Sequence, residues 1–151
     1  MTSLAATSLG GPGAPTADGA PVDEARAPAN PAKTIVIIED LEDLADVTKL
    51  LLTGEGYCVY TALDGYAGLR LAIERDADLV ILDHLLPEMV GADVARALRA
   101  HAHARRARIV MMSATPEKDV REQFDGYDAF LSKPCPPERL LAVIAAQLAG
   151  D

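Results

Sequence analysis

Apolar and polar positions alternate along this chain in blocks rather than residue by residue. Thr34-Ile35-Val36-Ile37-Ile38 is an unbroken β-branched run that stops at Glu39-Asp40. Leu79 to Leu82 is a second apolar run, between Asp78 and Asp83, and Arg108-Ile109-Val110-Met111-Met112, apolar after its arginine, a third, ending at Ser113. Two further strand-like stretches cover Tyr57 to Thr61 and Asp128 to Leu131, the last ending at Ser132-Lys133-Pro134. Short apolar runs bounded by turn residues predict strands buried on both faces, as in a parallel sheet.

Helical spacing fills the gaps between the runs. Leu44, Val47 and Leu51, with neighbouring Leu50 and Leu52, predict a helix stopping near Gly54-Glu55-Gly56. Asp64-Gly65 opens a second helix with Ala67, Leu71 and Ile73 as apolar positions, ending near Asp76. Gly91 to about His101 predicts a third with Val94, Ala97 and Leu98 inward, and Pro116 opens a short fourth pairing Val120 with Phe124. A fifth follows Pro136-Pro137 and buries Leu140, Leu141, Ile144 and Leu148. Strands alternating with helices predict an α/β fold: a five-stranded parallel sheet between two helical layers, with right-handed crossovers.

Residues 1–32 are of different material: Gly, Pro, Ala, Ser and Thr with little apolar periodicity. Such a segment cannot bury enough surface to offset its ordering entropy, so a disordered leader over 1–32 and one domain over 33–150 are expected. It has neither the basic start nor the apolar core of a secretory signal. The net charge of −9 argues against nucleic-acid binding by the whole domain, and no apolar run approaches membrane-spanning length. Cys58 and Cys135 lack metal or redox spacing and read as thiols of a reducing cytoplasm.

The chemistry lies where the strands end. In a sheet ordered 2-1-3-4-5, Glu39 and Asp40, Asp83, Ser113 and Lys133 all reach the carboxyl edge, where open α/β sheets bind ligands. Carboxylates crowded at one edge repel, and a hard cation such as Mg²⁺ relieves that repulsion through oxygen ligands. A hydroxyl and an ammonium opposite them suit an incoming phosphoryl group, and an aspartate can itself be the nucleophile.

Ile37-Ile38-Glu39-Asp40, Leu82-Asp83 with Pro87 and Gly91, Met112-Ser113-Ala114 and Phe130-Leu131-Ser132-Lys133-Pro134, in this order and at these intervals, resemble the response-regulator receiver domain of two-component signalling. The resemblance runs from Lys33 to about Ala149. It implies that Asp83 is the phosphoacceptor, taking a phosphoryl group from a sensor histidine kinase or histidine phosphotransfer protein. It further implies Mg²⁺ held by Asp40, Glu39, Asp83 and the Leu85 backbone carbonyl. Ser113 would turn toward the phosphoryl group, Lys133 would pair with it, and Phe130 would be the aromatic switch. The face formed by the fourth helix, fifth strand and fifth helix would then change for a downstream protein target. The Lys133–Pro134 bond would be cis.

With no output domain after Asp151, a stand-alone cytoplasmic receiver is expected, a phosphoacceptor and not an enzyme, without nucleic-acid or membrane partners. The rival reading is a phosphorylation-independent interaction module on the same fold, favoured by a segment from Ser113 to Lys133 about two residues shorter than is usual in the family. An aspartate-nucleophile phosphatase is disfavoured because Leu85 stands where a second acid would be needed. His84 beside Asp83 is unusual, with roles in phosphotransfer and in simple space-filling both open. Asp78 reads as a solvated turn residue. Arg96, Arg99, Arg105, Arg106 and Arg108 read as a solvated basic face, with docking to an acidic partner as the alternative.

Overall fold

The computed structural model describes residues 32–149. The expected leader therefore lies, but for Ala32, outside the described residues, as does Gly150. The elements are β1 (Thr34–Ile38), α1 (Glu42–Gly54), β2 (Cys58–Ala62), α2 (Gly65–Glu74), β3 (Leu79–Asp83), α3 (Gly91–Ala100), β4 (Arg108–Ser113), α4 (Glu117–Gln123), β5 (Ala129–Ser132) and α5 (Pro137–Leu148). All strand pairs are parallel and the sheet order is β2-β1-β3-β4-β5, the architecture the pattern predicts. Among the described residues no helix is long and apolar enough to cross a membrane.

Strand parity divides the core. Val36, Ile38, Val80, Leu82, Ile109 and Met111 point to one face and pack with Ala72, Val94, Leu98 and Val120 of α2, α3 and α4. Ile35, Ile37, Leu79, Ile81, Val110 and Leu131 point to the other and pack with Leu52 of α1 and Leu140, Ile144 and Leu148 of α5. Side chains in a strand alternate faces, which makes the central runs apolar throughout.

Two helices bury small residues where larger ones were expected. In α1 the buried positions are Ala45 and Leu52, whereas Leu44, Val47 and Leu50 are 41%, 63% and 76% exposed. A methyl side chain lets α1 lie close to the sheet, leaving the bulkier residues on its flank in solvent. In α2 the buried positions are Gly65, Gly68 and Ala72, with Leu71 and Ile73 only partly covered. A Cβ on Gly68 would meet Ile38 Cδ1 at 2.3 Å, so the helix backbone rests there directly on the Ile38 side chain.

Three loop residues have structural work that the pattern does not show. Phe124 caps α4 in extended conformation, its N–H donating to the Val120 carbonyl at 3.1 Å and its ring lying 5.4 Å from the Arg96 guanidinium. Asp128 precedes β5 and ties it to β4: its Oδ2 accepts from the Ile109 N–H at 2.8 Å and from Arg99 at 2.6 Å. Asp78 accepts from the Thr34 N–H at 2.8 Å and holds the start of β1, so it is not a merely solvated turn.

The arginines are likewise not a uniform solvated face. Arg99 also donates to the carbonyls of Gly126, Arg105 and Ala107, and Arg96 to that of Gln123 at 2.7 Å. Together they pin the α4–β5 loop onto α3.

Candidate functional site

The parity that sorts the core also sorts the polar residues at the carboxyl edge. Glu39, Asp83 and Lys133 continue the positions of Ile37, Ile81 and Leu131, on the α1 and α5 side of the sheet. His84, Ser113 and Phe130 continue the opposite set, on the side of α3 and α4. One residue of strand separates an acidic cluster from a hydroxyl–imidazole cluster.

On the acidic side, Lys133 Nζ lies 3.1 Å from Glu39 Oε1 and 3.1 Å from Asp83 Oδ2. Both carboxylates are buried, and each takes one further donor: the Leu41 N–H to Glu39 Oε2 at 3.2 Å and the Leu85 N–H to Asp83 Oδ1 at 3.2 Å. Glu39, Asp40 and Asp83 each bring a carboxylate oxygen within 4.8 Å of the others. Burial, then the Asp83 charge, raise the Glu39 carboxyl above its ordinary 4.5, against the opposing pull of the Leu41 N–H and Lys133. Burial disfavours the Lys133 ammonium, but its hydrogen bonds and charge pairing with Asp83 and Glu39 outweigh this and hold it above 10.5. A lone ammonium thus faces an excess of negative charge whose donors are all oxygen. That donor set fits a hard divalent cation such as Mg²⁺.

On the other side, β3 and β4 pair so that Asp83 faces Met112, placing Ser113 one step beyond. Ser113 is buried; its Oγ accepts from the Thr115 N–H at 2.8 Å and lies 3.4 Å from His84 Nδ1. His84 is only 2% exposed, and its Nε2 lies 3.2 Å from Gln123 Oε1 at the end of α4. This bridge was invisible in the sequence, because nothing local to His84 points to residue 113 or 123. Phe130, half-buried on β5, has its ring 5.9 Å from that of Tyr127.

Gly91 closes the edge: its N–H donates to the His84 carbonyl at 2.6 Å, and Leu85 bridges antiparallel to Val90. The Leu85 side chain is 57% exposed beside Asp83. The Lys133–Pro134 bond is cis, as the resemblance implies. Cys58 and Cys135 are free thiols.

A buried carboxylate paired with a lysine, an acidic oxygen cluster and a strand-end serine thus gather at the carboxyl edge of a parallel 2-1-3-4-5 sheet, the place where doubly wound α/β proteins carry their sites. Comparison with known proteins gives the class: residues 35–145 match the response regulator receiver domain family, and the chain belongs to it. It is 37% identical over 116 residues to the DNA-binding response regulator MtrA of Mycobacterium tuberculosis, covering 76% of this chain and 50% of that one. The chain thus spans about half the length of the curated relatives it matches. It superposes on a CheY-like receiver domain protein from Methanospirillum hungatei with TM-score 0.71 and 30% identity, covering 80% and 96% of the two chains. It also superposes on TrrA of Thermotoga maritima in complex with Mg²⁺–BeF, with TM-score 0.70 and 26% identity, covering 77% and 99%.

Proposed function

We propose that this domain accepts a phosphoryl group on Asp83 from a phosphohistidine of a partner kinase or phosphotransfer protein. The observation that carries the reading is the Asp83 carboxylate, buried yet held by Lys133 Nζ at 3.1 Å within an all-oxygen cluster. An Asp83 oxygen attacks phosphorus, the P–N bond to the donor imidazole breaks, and that imidazole leaves with the electron pair. Glu39, Asp40, Asp83 and the Leu85 carbonyl are the groups that would hold Mg²⁺, which supplies charge neutralisation to the phosphoryl oxygens when bound.

Lys133 stays beside Asp83 through the transfer and offsets the charge of about −1.5 to −2 that the phosphoryl group adds. Ser113 turns its hydroxyl toward the new oxygens, and Phe130 moves into the space left on the α4 side. The output is a shift between two arrangements of the α4–β5–α5 face read by a downstream protein. The aspartyl-phosphate is a carried state and not a released product, so the domain acts as a switch rather than an enzyme.

The partner's approach has support in the exposed flank of α1. Leu44, Val47 and Leu50, three apart, together with Leu41 and Leu85, leave an apolar surface beside the acidic cluster. A helix carrying the phosphohistidine would pack there. We place the protein in the cytoplasm, as a receiver unit over 33–150 preceded by a leader over 1–32.

Intact mass after incubation with acetyl phosphate and Mg²⁺ tests the reading. One added phosphate on the wild type and none on Asp83→Asn supports it. A wild type that takes up neither phosphate nor beryllofluoride would overturn it in favour of the phosphorylation-independent module, for which the seven-residue α4 is the observation at hand.

A further inference from the structure

Asp83 faces the acidic cluster, but the next residue turns its ring the other way, into a chain of hydrogen bonds. The direction of each bond follows from its partner. Gln123 Oε1 can only accept, so His84 Nε2 carries the proton at 3.2 Å. With Nε2 as the donor, Nδ1 serves as the acceptor, and the Ser113 hydroxyl donates to it at 3.4 Å. The Thr115 N–H in turn donates to Ser113 Oγ at 2.8 Å. Thr115, Ser113, His84 and Gln123 form one continuous line from the edge of β4 to the last residue of α4.

From this line we infer that His84 is a positioning residue: it holds the Ser113 hydroxyl in its resting orientation and fastens the end of α4 to the phosphoacceptor loop. The inference rests on the proposed role of Asp83 and deepens it. A hydroxyl donating at 3.4 Å is near the outer limit of a hydrogen bond, so the bond is a weak one. A phosphoryl oxygen is a charged, stronger acceptor and takes the hydroxyl from it. When Ser113 leaves, the buried Nδ1 loses its partner, and an unsatisfied buried acceptor is costly. The ring restores its bonding by turning or shifting, and the Nε2–Gln123 bond cannot be kept unchanged while it does so.

The geometry of α4 makes this consequential. The helix has only seven residues, and Val120 alone is buried among them. Its C-terminal end is held by the His84 side chain and, through the Gln123 carbonyl, by Arg96. A helix this short has little hydrogen bonding of its own to resist the loss of one of these attachments. The state of Ser113 is thereby passed to α4 by a single side chain, alongside any movement of Phe130.

Two amide variants separate the two halves of the ring. Asn at 84 places its amide near the Nδ1 position and keeps the Ser113 bond; Gln reaches toward the Nε2 position and keeps the Gln123 bond. His84→Leu removes both, and Gln123→Leu breaks the far end at an exposed position that leaves the core intact. The first readout is hydrogen exchange of the α4 amides in the resting protein, without any phosphodonor. The second is the affinity for beryllofluoride with Mg²⁺.

Exchange in α4 is expected to rise about 2- to 10-fold, the worth of one neutral hydrogen bond, in His84→Leu, His84→Asn and Gln123→Leu, but not in His84→Gln. Beryllofluoride is expected to bind tighter by a similar factor in His84→Leu and His84→Gln, where Ser113 is released, but not in His84→Asn. In the double variant His84→Leu with Gln123→Leu, α4 exchange should be no faster than in either single one. Additive effects, or equal effects of the Asn and Gln variants on both readouts, would show a packing role and overturn the inference. Should the wild type bind no beryllofluoride, the proposed function fails, and the exchange pattern alone then decides the link.

Discussion

Replacing Gly91 with alanine sets two opposing effects against each other at the loop that follows Asp83. Gly91 is the first residue of α3, where alanine favours the helix and restricts the unfolded chain, together worth about 0.5–1 kcal/mol of stability. Against this, a Cβ at Gly91 would lie 2.6 Å from the Asp83 carbonyl oxygen and 2.8 Å from His84 Cα. Ordinary contact begins at 3.4 Å, so the loop must move by about 0.8 Å, and neither atom belongs to a side chain that can swing away. Overpacking of this kind costs about 1–3 kcal/mol, so a net destabilisation of up to about 2.5 kcal/mol is the expected result. Because the displaced backbone carries Asp83 itself, phosphorylation by acetyl phosphate should slow by up to about 100-fold. Gly54→Ala is the control: nothing lies within 4 Å of its Cβ, and the same substitution there should stabilise by about 0.5 kcal/mol. Thermal unfolding and time-resolved intact mass read both quantities. A Gly91→Ala protein as stable as the wild type and phosphorylated within twofold of its rate would refute the argument.

Further expectations concern charge, hydrolysis and pH. Since burial and Asp83 raise the Glu39 carboxyl above 4.5, its ionisation destabilises the metal-free fold as pH rises through that raised value. Glu39→Gln should therefore raise the melting temperature without Mg²⁺ at pH 7 and reduce the gain on adding it, about 2.7 kcal/mol at 100 times Kd; a larger Mg²⁺ gain in the variant would contradict the site. Leu85→Asn places a water-orienting amide beside Asp83 and should shorten the life of the phosphorylated form about tenfold, or ~1.4 kcal/mol; a half-life unchanged from wild type sinks that expectation. Burial and then the Glu117 hydrogen bond raise the Tyr127 hydroxyl above 10.0, and Lys133 is held above 10.5. Both contribute stability present below these ordinary values and lost as pH climbs through the raised ones, so melting temperature should fall above about pH 10. Tyr127→Phe should flatten part of that fall, and equal slopes for variant and wild type would exclude Tyr127 as a source.

The strands were legible because β1, β3 and β4 are buried on both faces and therefore continuous apolar runs, while turn residues mark their ends. The convergence of Glu39, Asp83, Ser113 and Lys133 on one edge was legible for the same reason, since a parallel sheet brings all its carboxyl ends together. What the pattern could not show was distance. Leu44, Val47 and Leu50 have helical spacing, but the close approach that Ala45 allows leaves them in solvent. Phe124 stands four residues from Val120 and keeps the bond to its carbonyl, but in extended conformation as the cap of the helix, which apolar spacing does not distinguish from a helical residue. His84 looked like a neighbour of Asp83, and only strand parity turns its ring toward Ser113.

The pairing of Lys133 with Glu39 joins residues 94 apart in sequence, and its pairing with Asp83 joins residues 50 apart. At a synthesis rate of about 5–20 residues per second, Asp83 leaves the ribosome roughly 3–10 s before Lys133. During that interval the growing chain carries the carboxylate without the ammonium that faces it in the finished fold. Because Lys133 is the last of these residues to be made, a nascent or truncated chain that stops short of it cannot assemble the whole constellation, and the acidic edge gains its counter-charge only once β5 is in place.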